Sequence, residues 1–251
     1  MRLAVISDIH GNRLALEAVL ADITTRGVDD IVNLGDWIAG PLWPRETFEM
    51  LAELGIRSVR GNHDRWATDR PDDKMPPAGR FARNALDGGQ IATLFGLPET
   101  LELAGGQILA VHGTPTDDST YLLEETVEGR LGPAPRAILA ERLGVESARR
   151  VILCGHSHRQ AVVTGPDGCL ILNPGSVGCP SFADLPAASS LEHRSPHARY
   201  AILTERSGRW GAEMIALDYD WDAAAQQAAN LGWPRWARML ATGAVAEHHA
   251  A

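Results

Sequence analysis

The chain has 251 residues, 45% hydrophobic and 22% charged, with 23 Lys and Arg against 32 Asp and Glu for a net charge of −9; a globular chain of this size buries roughly three quarters of its unfolded surface and needs neither a disulfide nor a metal to fold. The acidic balance and a single lysine, Lys74, exclude a phosphate-clamping surface for duplex nucleic acid. No apolar run approaches the ~18 residues of a membrane helix, the apolar N-terminus turns polar at Ser7-Asp8, and Cys154, Cys169 and Cys179 show no CxxC spacing, so a cytoplasmic protein with buried thiols is expected.

In chain order, Leu3 to Ser7 has the length of a strand, and an amphipathic stretch follows from the N-cap Asn12 through Leu16, Val19 and Ile23. Ile31 to Leu34 is a second strand, Pro44 to Leu54 a helix and Ile56 to Val59 a third strand, so three βα units predict a parallel sheet. Residues 69 to 77 form a loop, and 80 to 95 have the spacing of one helix. Thr100 to Leu103 and Gln107 to Val111 read as a hairpin, and the stretch from there to Gly144 as mostly loop and helix. Short strands then follow at 151–154, 161–163, 169–172, 200–204 and 213–217. The two halves are expected to make one layered α/β sandwich, residues 1–217, carrying a helical extension, 218–251, that ends in a frayed tail from Ala244.

Chemistry-bearing residues follow the strands. Asp8 and His10 follow the first strand, Asp36 the second, Asn62, His63 and Asp64 the third, His112 the hairpin's second arm, and His156 and His158 the strand ending at Cys154. In open α/β sheets, ligands bind at the carboxyl ends of the strands. Taken singly, each cluster has a bland explanation as a turn or a hydrogen-bonded core histidine; together, five of them at strand ends point to one site. Asp8, His10, Asp36, Asn62, His112, His156 and His158 offer oxygen and nitrogen donors and no sulfur. If one carboxylate bridges, they make four bonds to each of two divalent ions. Two such ions, two aspartates and a hydroxide leave a local charge of about +1, which attracts a phosphate oxyanion despite the acidic chain.

The ordered set Asp8-x-His10, Gly35-Asp36, Gly61-Asn62-His63-Asp64, His112 and Gly155-His156-x-His158 resembles the calcineurin-like metallophosphoesterase superfamily. The loop Gly40-Pro41-Leu42-Trp43-Pro44, the block Asn173 to Gly178 and Tyr219-Asp220 are similar to its small bacterial and archaeal phosphodiesterase-like branch. The resemblance implies a two-sheet α/β/β/α sandwich with metals at the C-terminal ends of the strands. One ion would go to Asp8, His10, Asp36 and His158, the other to Asp36, Asn62, His112 and His156, with Asp36 bridging. His63 would be the proton donor or transition-state hydrogen-bond donor and Asp64 its orienting partner. The implied activity is phosphoester hydrolysis, foremost of diesters, by in-line attack of a metal-bridging hydroxide. The ions would be divalent transition metals, manganese first, with iron, zinc, nickel or cobalt as alternatives. Small phosphoesters or nucleotides would be the substrates, and a homo-oligomer is compatible with this.

Where protein-phosphatase and diadenosine-tetraphosphatase branches read Gly-Asp-x-x-Asp-Arg-Gly, this chain reads Gly35-Asp36-Trp37-Ile38-Ala39-Gly40, which disfavours both substrate classes. Monoester hydrolysis remains an alternative. A catalytically silent protein-binding scaffold would be expected to lack ligands that are all present here. Trp37 and Trp66 are candidates to stack on a base, or else to anchor loops. Arg65, Arg194 and Arg199 are candidate phosphate contacts, and His193 and His197 lie in a loop that could cover the site.

Overall fold

The computed structural model describes residues 1–127, 130–183 and 190–245. The strands are β1 (Arg2–Ile6), β2 (Asp30–Asn33), β3 (Arg57–Ser58), β4 (Thr100–Leu103), β5 (Ile108–Val111), β6 (Glu124–Val127), β7 (Arg130–Pro133), β8 (Val151–Leu153), β9 (Ala161–Thr164), β10 (Leu170–Asn173), β11 (Ser181–Ala183), β12 (Ser190–Glu192), β13 (Ala198–Arg206) and β14 (Arg209–Leu217). The helices are α1 (Arg13–Thr25), α2 (Pro44–Glu53), α3 (Asn62–Asp69), α4 (Pro77–Asn84), α5 (Gly88–Phe95), α6 (Arg136–Leu143), α7 (Trp221–Asn230) and α8 (Pro234–Thr242).

Two five-stranded sheets stack in the order β14-β13-β1-β2-β3 and β4-β5-β8-β10-β9. Leu3 to Ile6 are buried on both faces, which is why β1 reads as an unbroken apolar run. Successive side chains leave a strand on opposite sides. Leu3 and Val5 therefore meet Ile108, Ala110, Val151 and Leu153 between the sheets. Ala4 and Ile6 pack under Leu16 and Val19 of α1 and Phe48 and Leu51 of α2. The outer face of the second sheet, Val111, Ile152 and Ile171, is covered by Leu139 and Leu143 of α6. The result is the α/β/β/α sandwich. β1, β2 and β3 run parallel, as do β5, β8 and β10, so each sheet ends its parallel strands along one edge.

The structure departs from expectation at four places. The sheet expected to be parallel is mixed, because β13 joins it antiparallel to β1, with Ala4 opposite Ile202. The single helix expected over 80–95 is two, because Asp87 caps a new start. Its Oδ1 accepts the N–H groups of Gly89 and Gln90, and the Gln90 side chain returns the bond to the Asp87 N–H. The stretch expected to be loop and helix contains the β6–β7 hairpin, and a second hairpin, β11–β12, was not anticipated. α7 and α8 pack on each other through Ala224, Ala228, Met239 and Leu240, and onto Leu42 and Cys179 beside the strand-end edge. Of the expected tail, residues 246–251 lie outside the described residues. No helix among the described residues is long and apolar enough to cross a membrane.

Candidate metal centre

The seven candidate ligands converge where the two sheets end. Five of them, Asp8, His10, Asp36, His156 and His158, have φ between 52° and 66°, among only eight non-glycine residues with positive φ in the described chain. Left-handed backbone costs an L-residue on the order of 1 kcal/mol, and Asp and His tolerate it better than most. Its concentration here marks turns held by their surroundings. The Asp8 N–H donates to the Gly35 carbonyl and the His10 N–H to the Asp36 carbonyl, tying the first two strand ends together. The Ser176 hydroxyl donates to the Asp8 carbonyl at 2.7 Å, so the Asn173 to Gly178 block closes over the first turn. Asn12 joins it from the other side, donating to the Gly178 carbonyl at 3.0 Å and to the Tyr219 hydroxyl at 3.1 Å.

Two glycines are dictated by close approach. A Cβ at Gly61 would overlap the Asp36 carboxylate, and one at Gly155 would overlap the Ser7 hydroxyl and crowd Asp8 Oδ2. Both let one strand-end turn press against the carboxylate of another.

Backbone carbonyls fix the imidazoles. Nδ1 of His10 lies 2.7 Å from the Ala39 carbonyl, Nδ1 of His112 2.7 Å from Leu34 and Nδ1 of His158 2.7 Å from Cys179. Each Nδ1–H must donate there, which turns Nε2 inward. His156 is reversed: its Nε2 sits 3.0 Å from the Ser119 carbonyl, leaving Nδ1 as the ring's lone pair. Each carboxylate likewise commits one oxygen. Asp8 Oδ2 accepts the Ser7 hydroxyl at 2.5 Å and the His156 N–H at 3.2 Å, and Asp36 Oδ1 accepts the His63 N–H at 2.9 Å.

The uncommitted atoms face one another. His10 Nε2 is 3.1 Å from His158 Nε2, and His112 Nε2 is 2.9 Å from Asn62 Oδ1. Asp8 Oδ1, 3.2 Å from His158 Nε2, is buried without a hydrogen-bond partner. Asp36 Oδ2 lies 3.7 Å from His10 Nε2 on one side and 3.4 Å from His112 Nε2 on the other. Inward lone pairs at these separations need a proton or a cation between them. Protons fill that role when the cluster is without metal. Burial pushes the His112 imidazole down, but Asp36 and Asp8 hold it up at about 9; burial opposes protonation of His158 too, and Asp8 overcomes it. The donor set, two carboxylates, an amide oxygen and imidazole nitrogens, fits divalent transition ions.

A cleft of about 550 Å³ opens onto these atoms, lined by His10, Asp36, Asn62, His63, His156 and His158 among others. The His63 ring stands at its wall, 5.4 Å from His10 and 4.5 Å from Trp66 between ring centroids, and burial pushes its imidazole down to about 3. Asp64 is buried one residue on but does not orient His63. Its carboxylate accepts the N–H groups of Asp36 at 2.8 Å, Trp37 at 2.9 Å and Gly61 at 3.0 Å. Burial and the neighbouring Asp36 charge push it up to about 7 against the Gly61 and Trp37 donors.

Of the substrate-contact candidates, only Trp66 lines the cleft. Trp37 is 3% exposed and packs on Phe48, because the left-handed turn at Asp36 sends the next side chain into the core. Arg65 faces away and grips Asp118 with two bonds of 2.7 Å, which raises the pKa of its guanidinium. Arg199 is buried, its pKa lowered by that burial, and it donates to the His197 carbonyl at 2.8 Å. His193 Nε2 contacts the His158 carbonyl at 2.8 Å, bracing that turn from outside the cleft.

Two features of the cleft escaped the sequence. Cys179 brings a sulfur into a group with His10 and His158 whose donor atoms all lie within 4.8 Å of one another. Its place directly after the Asn173 to Gly178 block was the available signal. Arg70 lines the cleft with its guanidinium 3.7 Å from the centroid of Trp66; its signal was the i, i+3, i+7 spacing of His63, Trp66 and Arg70, which puts all three on one helical face.

Residues 1–195 match the model of the calcineurin-like phosphoesterase superfamily domain. The chain belongs to that superfamily. The uncharacterized protein MJ0912 of Methanocaldococcus jannaschii is 28% identical over 93% of this chain and 94% of its own length. A metallophosphoesterase from Sphaerobacter thermophilus superposes with a TM-score of 0.74 at 27% identity, covering 97% of this chain and all of that one. The hypothetical protein PH1004 from Pyrococcus horikoshii shares the fold, with a TM-score of 0.76 at 19% identity over 98% of this chain and 99% of its own. Calcineurin-like phosphoesterases use divalent metal ions, and the residues gathered here are candidate ligands for them. The superfamily match stops before β13 and β14, although β13 completes the sheet beside β1.

Proposed function

We propose that this phosphoesterase superfamily member is a dinuclear-metal phosphoester hydrolase that prefers diesters. The observation that carries the reading is the position of Asp36 Oδ2 between two groups of inward donors. Asp8, His10 and His158 are on one side of it; Asn62, His112 and His156 are on the other. Divalent ions, manganese being the first to test, supply the Lewis acid and the activated water when bound.

The protein's own residues do the rest. Backbone carbonyls hold the imidazoles in one tautomer, and Asp64 fixes the turn that presents Asp36. His63, neutral near pH 7, offers an N–H to the phosphoryl oxygens, where charge grows in the transition state. The diester preference is supported by the walls. A cleft of this volume lined by Trp66, Tyr121, Phe182 and Trp236 has room and apolar surface for two ester arms, whereas a monoester would fill little of it. Since no expected ligand is missing, a silent scaffold is the weaker reading.

The test is hydrolysis of bis(p-nitrophenyl) phosphate against p-nitrophenyl phosphate after reconstitution with manganese, iron, zinc, nickel or cobalt. Metal-dependent turnover with higher kcat/KM for the diester supports the proposal. Monoester preference would reverse the substrate assignment, and no turnover with any metal would remove the enzymatic one.

A further inference from the structure

Resting on that reading, we infer that the cleft selects phosphoesters carrying a second anionic group, and that Arg70 is the residue that binds it. Among the described residues, Arg70 is the only lysine or arginine lining the cleft. Three neighbouring arginines spend their charge within the protein. Arg65 pairs with Asp118 and Asp69, Arg60 with Glu99, and Arg83 with Asp72. Arg70 has no carboxylate partner among the described residues. What holds it is an indole face, with the guanidinium carbon 3.7 Å from the Trp66 ring centroid.

That arrangement suits anion capture. A guanidinium stacked on an aromatic ring keeps its N–H groups in its own plane, free to take a phosphate or carboxylate through two parallel bonds. The aromatic contact fixes its orientation without neutralising its charge. The backbone is anchored as well: the Arg70 N–H donates to the Trp66 carbonyl at 3.2 Å, and its carbonyl accepts from Arg83 at 3.1 Å. From the metal cluster outward the groups run His10, His63, Trp66, Arg70, each in contact with the next. The Arg70 guanidinium is thus linked to the candidate ligands through Trp66 and His63 rather than by a contact of its own. A substrate whose reacting phosphorus sits at the cluster reaches it only with a second charged group at some distance. With His63 against it at 4.5 Å and Arg70 over its ring, Trp66 serves chiefly as the platform for Arg70, not as a stacking surface for a base.

Alkane-α,ω-bisphosphates of increasing length, each paired with the alkyl monophosphate of the same length, measure both the anion and its distance. Binding to the manganese-loaded full chain is followed by calorimetry, which needs no turnover, so a failure of the hydrolase reading leaves this test intact. The wild type is expected to bind bisphosphates of one preferred span at least about tenfold tighter than the paired monophosphates, as an added bidentate charge-assisted contact gives. In Arg70→Ala that ratio falls to about one, and Arg70→Lys keeps part of it. Because metal chelation in solution is the same for every variant, the change in the ratio is the readout. Bisphosphates no tighter than monophosphates at every length, or an equal ratio in wild type and Arg70→Ala, would overturn the proposal.

Discussion

The Asp64 carboxylate grips the backbone of Asp36, its Oδ2 accepting the Asp36 N–H at 2.8 Å and its Oδ1 the Trp37 N–H at 2.9 Å. The residue next to His63 thus serves the proposed bridging ligand. Asp64→Asn replaces an acceptor by a group that turns an NH₂ toward one of those N–H donors. A lower metal affinity by roughly 10- to 100-fold is expected, as for other groups that orient ligands. Equilibrium dialysis against manganese measures it. Unchanged affinity with a lowered kcat would return Asp64 to a role at His63.

His63→Gln is expected to keep both metals and lose on the order of 10² to 10⁴ in kcat. Because burial holds the imidazole down at about 3, it is neutral at working pH and acts by hydrogen bonding. The loss should therefore be similar for p-nitrophenyl and methyl leaving groups. A loss confined to the poor leaving group would show that His63 delivers the proton.

The metal-free cluster has its own pH signature. His112, at about 9, and His158 both titrate above the ordinary histidine value in the fold. A group bound more tightly to its proton when folded contributes stability that is full below pH 6.5 and is lost as pH rises toward 9. His63 and His156, held down at about 3 and about 4, act at lower pH and add nothing to this window. Apo protein should lose more melting temperature from pH 6.5 to 9 than metal-loaded protein, whose ions replace those protons, while Asp64, held up at about 7, lowers both forms alike. A constant Tm difference between the two forms across this range would contradict the assignment.

Tyr200 is buried, yet its hydroxyl reaches Asp22 at 2.6 Å, on the same oxygen that Arg26 holds at 2.6 Å. Tyr200→Phe is expected to lose about 1 to 2 kcal/mol of stability, read from urea denaturation, with activity intact. A coupled loss of activity would mean that β13 helps to position the cleft.

The convergence of the candidate ligands was legible because their residue types are tied to strand ends, and a strand end can be read from a short apolar run broken by Gly, Asp or His. The contacts around them were not. Whether Trp37 enters the cleft or the core depends on the left-handed turn at Asp36, which no local pattern displays. Arg65 and Arg70 look alike in sequence; only the loop that brings Asp118 to Arg65 distinguishes a committed guanidinium from an open one. β13 lies almost two hundred residues from its partner β1, so its place in the first sheet follows from non-local packing. The split between α4 and α5, by contrast, was written in Asp87-Gly88-Gly89-Gln90, a capping box inside an otherwise helical spacing.

The central claim is that Asp36 joins two metal ions, and metal content measured by plasma mass spectrometry on reconstituted, dialysed protein tests it most directly. The account predicts two ions per chain in the wild type and fewer than about one in Asp36→Asn, because removing a shared charge weakens both positions. Two ions per chain retained in Asp36→Asn, or only one in the wild type, would contradict it.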